Sequence, residues 1–379
     1  MIGGGAMRTA SLLTYLAKRF TVDLVLFAEA DRDPAAAVPD GLVRDVRIVR
    51  LPHHARTLPA KIQRNSSRYF RARPPLLDRF SGFERELARL LADRHYSVGV
   101  IEHFWCAPYV DLLQQQCREV WLDLHNVESV WHERLALTGG AMLRLALRRF
   151  AAASRELERE FLPKFSRILV PSKIDASQIS GAAGNAPISV YPNALPWIDL
   201  PAGGKDESII FTGNLEYAPN VTGIKWFAHR VWPTLRQWRP GLIWRIVGTN
   251  PREIRRFIRE EERVEVTGPV QNAMEEIARA RVAVVPVLAG SGTRFKVLEA
   301  WAAGTPVVST GIGVEGLRAE HSVNALIANT PKEMSEAIAG LLGSEQKAAA
   351  VGSAGRQTYE ECYTWQHAWN ALERADTPW

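Results

Sequence analysis

The sequence predicts an α/β protein made of two parallel-sheet domains. Three observations carry that prediction: the length, a repeated alternation of β-branched runs with helical patterns, and glycines placed directly after the strand-like runs. The chain has 379 residues, and at roughly 100–200 residues per domain two cores are expected.

The alternation is clearest in the second half. "SIIFTG" (208–213) reads as a strand, with a helix from about Val221 behind Asn220 as N-cap. "LIWRIVG" (242–248) is a strand, followed by Asn250 as a cap and Pro251 at the first helical position. "RVEVTG" (263–268), the helix Asn272–Arg279, the valine-rich "VAVVPV" (282–287), "TPVVST" (305–310), "NALIA" (324–328) and the helix Lys332–Leu342 continue the pattern. Such a β-α-β-α order implies a parallel sheet covered by helices, with ligands beyond the carboxyl ends of the strands.

The first half repeats the rhythm less cleanly. "VDLVLFA" (22–28), "DVRIVRL" (45–51), "SVGVIEH" (97–103), "EVWLDLH" (119–125), "RILVPS" (167–172) and "ISVYPN" (188–193) read as strands, with one long helical stretch over about 128–162. The Pro- and Gly-rich run 191–207 reads as an interdomain linker. The expected domains are 1–195, 206–350 and a terminal helical segment 355–379, where Trp365 and Trp369 share a helix face. Glycines come at residues 3–5 and a helix follows at once (about Ala6–Arg19), so the strand that should open the N-terminal domain is missing.

Composition excludes several classes. No apolar run reaches the roughly 18 residues of a membrane-spanning helix, and the first residues lack the pattern of a signal peptide, so a cytoplasmic chain is expected. Cys106, Cys117 and Cys362 have neither disulfide-framework nor zinc-site spacing and are expected as buried thiols. The net charge of +6 lies wholly in residues 1–200, which hold 27 Lys+Arg against 21 Asp+Glu; the remainder holds 20 of each. Its densest part, 56–79, places Arg56, Lys61, Arg64, Arg68, Arg71, Arg73 and Arg79 against Asp78 alone. That patch suits an anionic membrane face or a phosphorylated acceptor, or is a solvated helix face. No nucleic-acid-binding motif accompanies it.

The stretch "GSGTRFKVLEAW" (290–301) is the most informative. Gly290 and Gly292 turn the chain after a strand, and Ser291 or Thr293 can cap the next helix. Arg294 and Lys296 then stand at a helix N-terminus, where the macrodipole disfavours cations. A bound diphosphate resolves the conflict, because Arg and helix N–H groups both bind phosphate. Glu299, a turn on, can accept from ribose hydroxyls or pair with Lys296 on a solvated face.

With "FTGNLEYAPNVTGIKWF", "WRIVGTNP" and "VTGPV" upstream and "GVEGL" downstream, this stretch resembles the donor site of GT-B glycosyltransferases, family-4-like (group 1). "LDLHNVES" (122–129) and "GGGAMRT" match one branch of that family. The resemblance implies two Rossmann-like domains facing across a cleft, a nucleotide-diphosphate sugar held by the second, an acceptor held by the first, and transfer with retention. By the same resemblance, Arg294 and Lys296 neutralise the leaving diphosphate and Glu299 binds ribose. Gly213, Asn214, Gly290, Ser291, Gly292 and Thr293 face phosphate or sugar, with Gly4 and Gly5 in the loop opposite. His125 faces the reacting sugar, and Asp123 points to the other side. Glu102, His103 and Asn126 face the acceptor, while Asn126 and Glu128 can also cap the following helix.

No metal or cofactor is implied. Cell-surface polysaccharide or glycolipid assembly is the implied setting, with a sugar, lipid-linked or polyphosphate-bearing acceptor and peripheral membrane contact through 56–79. Many relatives carry E-x7-E in the donor motif, and Ser291 stands at the first of those positions. Two alternatives therefore stay open: a nucleotide-sugar epimerase on the same fold, and a non-catalytic nucleotide-binding subunit.

Overall fold

The computed structural model describes residues 4–29, 34–53, 55, 57–92, 94–138, 140–255, 257–258 and 263–376. Two compact units emerge: Thr9–Tyr191, and Pro192–Thr377 joined by the described part of Met1–Arg8. Gly3 and Arg56 lie outside the described residues.

The C-terminal unit is a six-stranded sheet in which every neighbouring pair is parallel. Its strands are β7 (Ser208–Thr212), β8 (Ile243–Val247), β9 (Val264–Thr267), β10 (Val282–Val285), β11 (Val307–Ser309) and β12 (Leu326–Ile327), in the order β12-β11-β10-β7-β8-β9. Both faces are buried, as the valine-rich runs require. Ile209, Phe211, Trp244 and Ile246 enter one core, and the intervening Ile210 and Val247 enter the other with Ala283 and Val285. That split is the period-two alternation of a strand.

The N-terminal unit carries β1 (Asp23–Glu29), β2 (Asp45–Leu51), β3 (Tyr96–Glu102), β4 (Cys117–Asp123), β5 (Arg167–Val170) and β6 (Ile188–Val190). They form two sheets, β1-β2 and β3-β4-β5-β6, each parallel throughout. The gap expected from the missing strand is therefore present among the described residues. Among the described residues, an ionic knot links the two sheets. The Asp23 carboxylate, 5% exposed, accepts from Arg44 and from Arg94 (2.6 Å). Tyr96, the first residue of β3, donates to it at 2.8 Å.

Eight helices matter for the site. In chain order they are α1 (Gly4–Ala17), α2 (Leu58–Phe70), α3 (Glu128–Thr138), α4 (Ala141–Phe161), α5 (Ala218–Arg230), α6 (Phe295–Ala302), α7 (Glu345–Cys362) and α8 (Trp365–Asp376). Several expectations need correction. The stretch 128–162 is two helices, not one. The C-terminal helix is also two, broken at Tyr363 and Thr364, where Leu195 and Thr364 form a bridge. The 191–207 run is thereby tied into the C-terminal unit, since Leu195 donates to Tyr363 O and Ile198 to the Tyr359 hydroxyl. Gly4 and Gly5 begin a helix instead of forming a loop. Asn220 lies inside α5, and the helix after Asn250 starts only at Arg252. The three cysteines are free but half-buried.

The Asp23 knot sets a testable expectation. Its three donors hold the carboxyl far below the usual carboxylate range, Arg44 first, against the opposing effect of burial. The sign follows: the stabilisation is complete above the unfolded-state pKa near 4 and is lost as pH falls towards the depressed folded value. Asp23→Ala should cost about 2–3 kcal/mol in urea unfolding at neutral pH, and the difference from the parent should shrink below about pH 3.

Candidate functional site

The glycine-rich motif of the C-terminal unit is built by the turn between β10 and α6 and by the end of β7. Gly290 and Gly292 have φ of 117° and 75°, backbone that residues with a Cβ rarely adopt. The turn exists to bring the Arg294 guanidinium over the backbone: a Cβ on Gly290 would lie 2.9 Å from its Nη2. Arg294 is the N-cap of α6, not part of its first turn, and donates to Ser291 O. Ser291 and Thr293 do not cap the helix. Ser291 is buried, and the Thr293 hydroxyl is buried without a hydrogen-bond partner among the described residues. Leaving such a group unpaired costs about 1–3 kcal/mol.

Lys296 sits in the first turn of α6 and reaches the end of β7. Its Nζ donates to Asn220 Oδ1 at 2.7 Å and lies 4.2 Å from the centroid of the Phe211 ring. Asn220 is fixed by its own donation to Asn214 O at 2.8 Å. Gly213, at φ 150°, makes room for both: a Cβ there would be 2.9 Å from Asn220 Nδ2 and 3.1 Å from Lys296 Nζ. The structure records no ion pair for Lys296 among the described residues. Burial first, then the Arg294 charge, pulls its pKa down to about 7. Such a fall corresponds to a cost on the order of 5 kcal/mol for the charged form.

Arg245 is the contrast within the same unit. It is buried, yet has Asp206, Glu265 and Glu276 at 3.0, 3.1 and 3.6 Å. Arg245 is held by three carboxylates within 4 Å, whereas Lys296 contacts an amide and a ring and feels the Glu299 charge without a recorded ion pair. Glu299 is half-buried, accepts from Thr212 Oγ1 at 3.4 Å, and has its pKa raised by burial.

Gly4 lies against the same motif, since a Cβ on it would come within 2.5 Å of the Phe295 ring. Gly5 is exposed in that first helical turn. Two residues unmarked in the sequence complete the frame: buried Arg8 donates to Asn193 Oδ1 (3.0 Å), and Asn193 donates to Thr293 O (3.2 Å).

The second cluster stands at the carboxyl ends of β3 and β4. Parallel register places Glu102 opposite Asp123. His125 Nε2 is 2.7 Å from Glu102 Oε2 and 3.2 Å from Asp123 Oδ2. Asp123 thus faces His125, contrary to expectation, and is fully buried. Thr9 donates to Glu102 at 2.9 Å. Burial works against a charged His125, but Asp123 and Glu102 outweigh it and the pKa rises. Burial and Asp123 raise that of Glu102. The three ligand atoms lie within 4.8 Å of one another, so a metal ion is a geometric option; the imidazole already bridges both carboxylates.

His103 stacks on this cluster. Its ring centroid is 3.7 Å from that of His125 and 3.9 Å from that of Trp105. Its backbone is held at φ 69°, ψ 142°, a strain of order 1–3 kcal/mol that tends to mark functional positions. Asn126 is half-buried just before α3. At the start of that helix, Glu158 of α4 accepts from the Ser129 N–H and hydroxyl at 2.9 and 2.6 Å.

Residues 206–344 match the family model described as Glycosyl transferases group 1. Among curated proteins, the chain is 27% identical over 130 residues to an uncharacterized 44.6 kDa protein in the cps region of Klebsiella pneumoniae. It is 34% identical over 131 residues to an exopolysaccharide phosphotransferase of Streptomyces coelicolor. Each match covers 32% of this chain, but only 34% and 13% of those proteins. Among solved structures, sucrose-phosphate synthase from Thermosynechococcus elongatus is similar with TM-score 0.74 at 16% identity, covering 98% of this chain and 92% of that one. HepE of Anabaena, solved with UDP and glucose, has TM-score 0.65 at 13% identity over 97% and 95%. The chain has the two-domain GT-B fold, and its residues 206–344 are similar to the glycosyl transferases group 1 family.

Proposed function

We propose that this chain is a retaining glycosyltransferase that moves a hexosyl group from a nucleoside-diphosphate sugar to an acceptor in cell-surface polysaccharide or glycolipid assembly. The observation that carries this reading is Lys296: a half-buried cation beside a second cation, with the Glu299 carboxylate acting on it but no ion pair recorded among the described residues. An incoming diphosphate supplies the missing counter-charge, and charge on it grows as the sugar leaves, so the site favours the transition state. The unpartnered Thr293 hydroxyl adds a polar group to the same turn. Support for the donor class comes from HepE, solved with UDP and with UDP-glucose. Support for the setting comes from the Klebsiella and Streptomyces names.

The proposal is metal-independent, with Arg294 and Lys296 in the role a divalent ion has elsewhere. It places the chain in the cytoplasm and peripheral to the membrane, with the basic 56–79 segment towards anionic lipid. No described helix is long and apolar enough to cross a membrane. Glu102, Asp123 and His125 favour one second reading, nucleotide-sugar epimerisation, because they form a coupled acid–base set. Incubating donor without acceptor separates the two: an epimer of the donor supports epimerisation, and hydrolysis or no change supports transfer.

Three measurements test the transferase. Lys296→Ala should lower kcat/KM by about 10²–10³, and unchanged turnover would sink the role given to that residue. UDP affinity should fall as pH rises above about 7, because the neutral amine no longer meets the diphosphate. In Lys296→Met, binding should be weaker and that dependence should vanish. Activity should survive EDTA; a loss restored by a divalent ion would overturn metal independence.

A further inference from the structure

Trp105 has two kinds of neighbour. It stacks on His103, which stacks on His125. It also lines a cavity of about 300 Å³ walled by Leu77, Phe104, Trp131, Leu147 and Phe150. The polar groups at its floor are Glu128, His132 and Ser154. Burial, with Glu158 nearby, pushes Glu128 up to about 8, and burial pushes His132 down to about 4. His132 Nδ1 donates to Glu128 O at 2.8 Å. The floor is therefore largely uncharged at neutral pH, and the lining suits hydrocarbon over a charged or strongly hydrated group. The volume equals about ten waters at roughly 30 Å³ each, room for part of one chain.

The rim of this cavity is exposed and apolar. Leu76 and Leu143 line it at 45% and 53% exposure. Around them, α2 exposes Leu58, Ile62 and Phe70, and the first turns of α4 expose Met142 and Leu145. Arg149 joins the two helices by donating to Tyr69 O (2.6 Å) and Phe70 O (3.1 Å). Exposed cations flank the apolar residues: Lys61, Arg71 and Arg73 on one side, Arg144 and Arg148 on the other. Apolar side chains rimmed by lysine and arginine match the surface of an anionic bilayer, which offers both hydrocarbon and negative charge.

We propose that this cavity takes the hydrocarbon chain of a phosphate-bearing lipid acceptor, drawn from an anionic membrane on which α2 and the start of α4 rest. The proposal deepens the transferase reading and rests on it for the word acceptor. Trp105 gives it geometry: the indole lines the cavity and also belongs to the ring stack Phe80–Trp105–His103 that ends on His125, so a tail in the cavity sets its headgroup beside that stack.

The test uses the full chain with dodecyl phosphate, inorganic phosphate, and vesicles of phosphatidylglycerol and phosphatidylcholine. Dodecyl phosphate should bind saturably at one site, and inorganic phosphate at the same concentration should not. Ala146→Trp, which fills the cavity from α4, should weaken dodecyl phosphate about tenfold or more, since several methylenes lose their burial. Leu143→Trp at the exposed rim serves as a second blocking variant that leaves the core untouched. Both should keep the thermal shift with UDP and the salt-sensitive sedimentation with vesicles. The triple variant Lys61→Glu, Arg144→Glu, Arg148→Glu should lose vesicle sedimentation and keep dodecyl phosphate. Dodecyl phosphate binding that is absent, or unmoved by both tryptophan variants, overturns the cavity assignment. Vesicle binding that survives the triple variant, or is absent from the parent chain, overturns the docking face. A parent chain unshifted by UDP overturns the donor reading, while the cavity result is read independently of it.

Discussion

The glycine-rich motif of the C-terminal unit depends on one constraint: a lysine withdrawn from water with no carboxylate in ion-pair contact among the described residues. Lys296 reaches its place because Gly213 lacks a side chain, and Asn220 holds it because Asn220 is itself fixed to Asn214 O. Arg294 is brought close by a turn that needs two glycines in left-handed backbone. None of this is what stability alone selects. Arg245, on the neighbouring strand, shows how the same unit treats a structural cation, with three carboxylates within 4 Å. The difference between the two is the physical case for an anionic ligand at Lys296.

The N-terminal cluster obeys the opposite rule. Glu102 and Asp123 meet because parallel register makes them neighbours, and two buried carboxylates at that distance repel. His125 between them, with Thr9 on Glu102, turns the repulsion into a closed hydrogen-bonded set. The strain at His103 then keeps an aromatic face against that set. A self-satisfied cluster of this kind needs no ligand to be stable, so its chemistry lies in where it holds its proton and its rings.

The architecture was legible in the sequence because strand runs buried on both faces are nearly pure valine and isoleucine, and because the glycines follow them directly. The donor motif was legible for an electrostatic reason: two cations at a helix start conflict with local rules, and such conflicts mark function. What escaped was anything set by tertiary approach. Asn220 has the composition of a cap, and only the fold turns it towards Lys296. Asp123 was assigned to the wrong face, because alternation along β4 does not forecast how the chain twists after the last ladder pair. Arg8 and Asn193 are 185 residues apart in sequence, and no local pattern could join them. Helix breaks at 138–141 and 363–364 were missed because apolar periodicity continues across them.

The gap between the β1-β2 pair and the β3–β6 sheet bears on how the N-terminal unit holds together. A continuous sheet would join these strands through backbone ladders, which depend little on pH. Here a carboxylate, two guanidinium groups and a phenol span the same ground, and they depend on charge. Apolar packing supplies the remainder: Val25 and Phe27 of β1 and Val49 of β2 enter the same core as Ile101 of β3 and Val120 of β4, and Phe27 packs against Phe80, Phe83 and Tyr109. Side chains pinned at one end of the strands and packed in the middle constrain the two sheets less than a ladder does along its length.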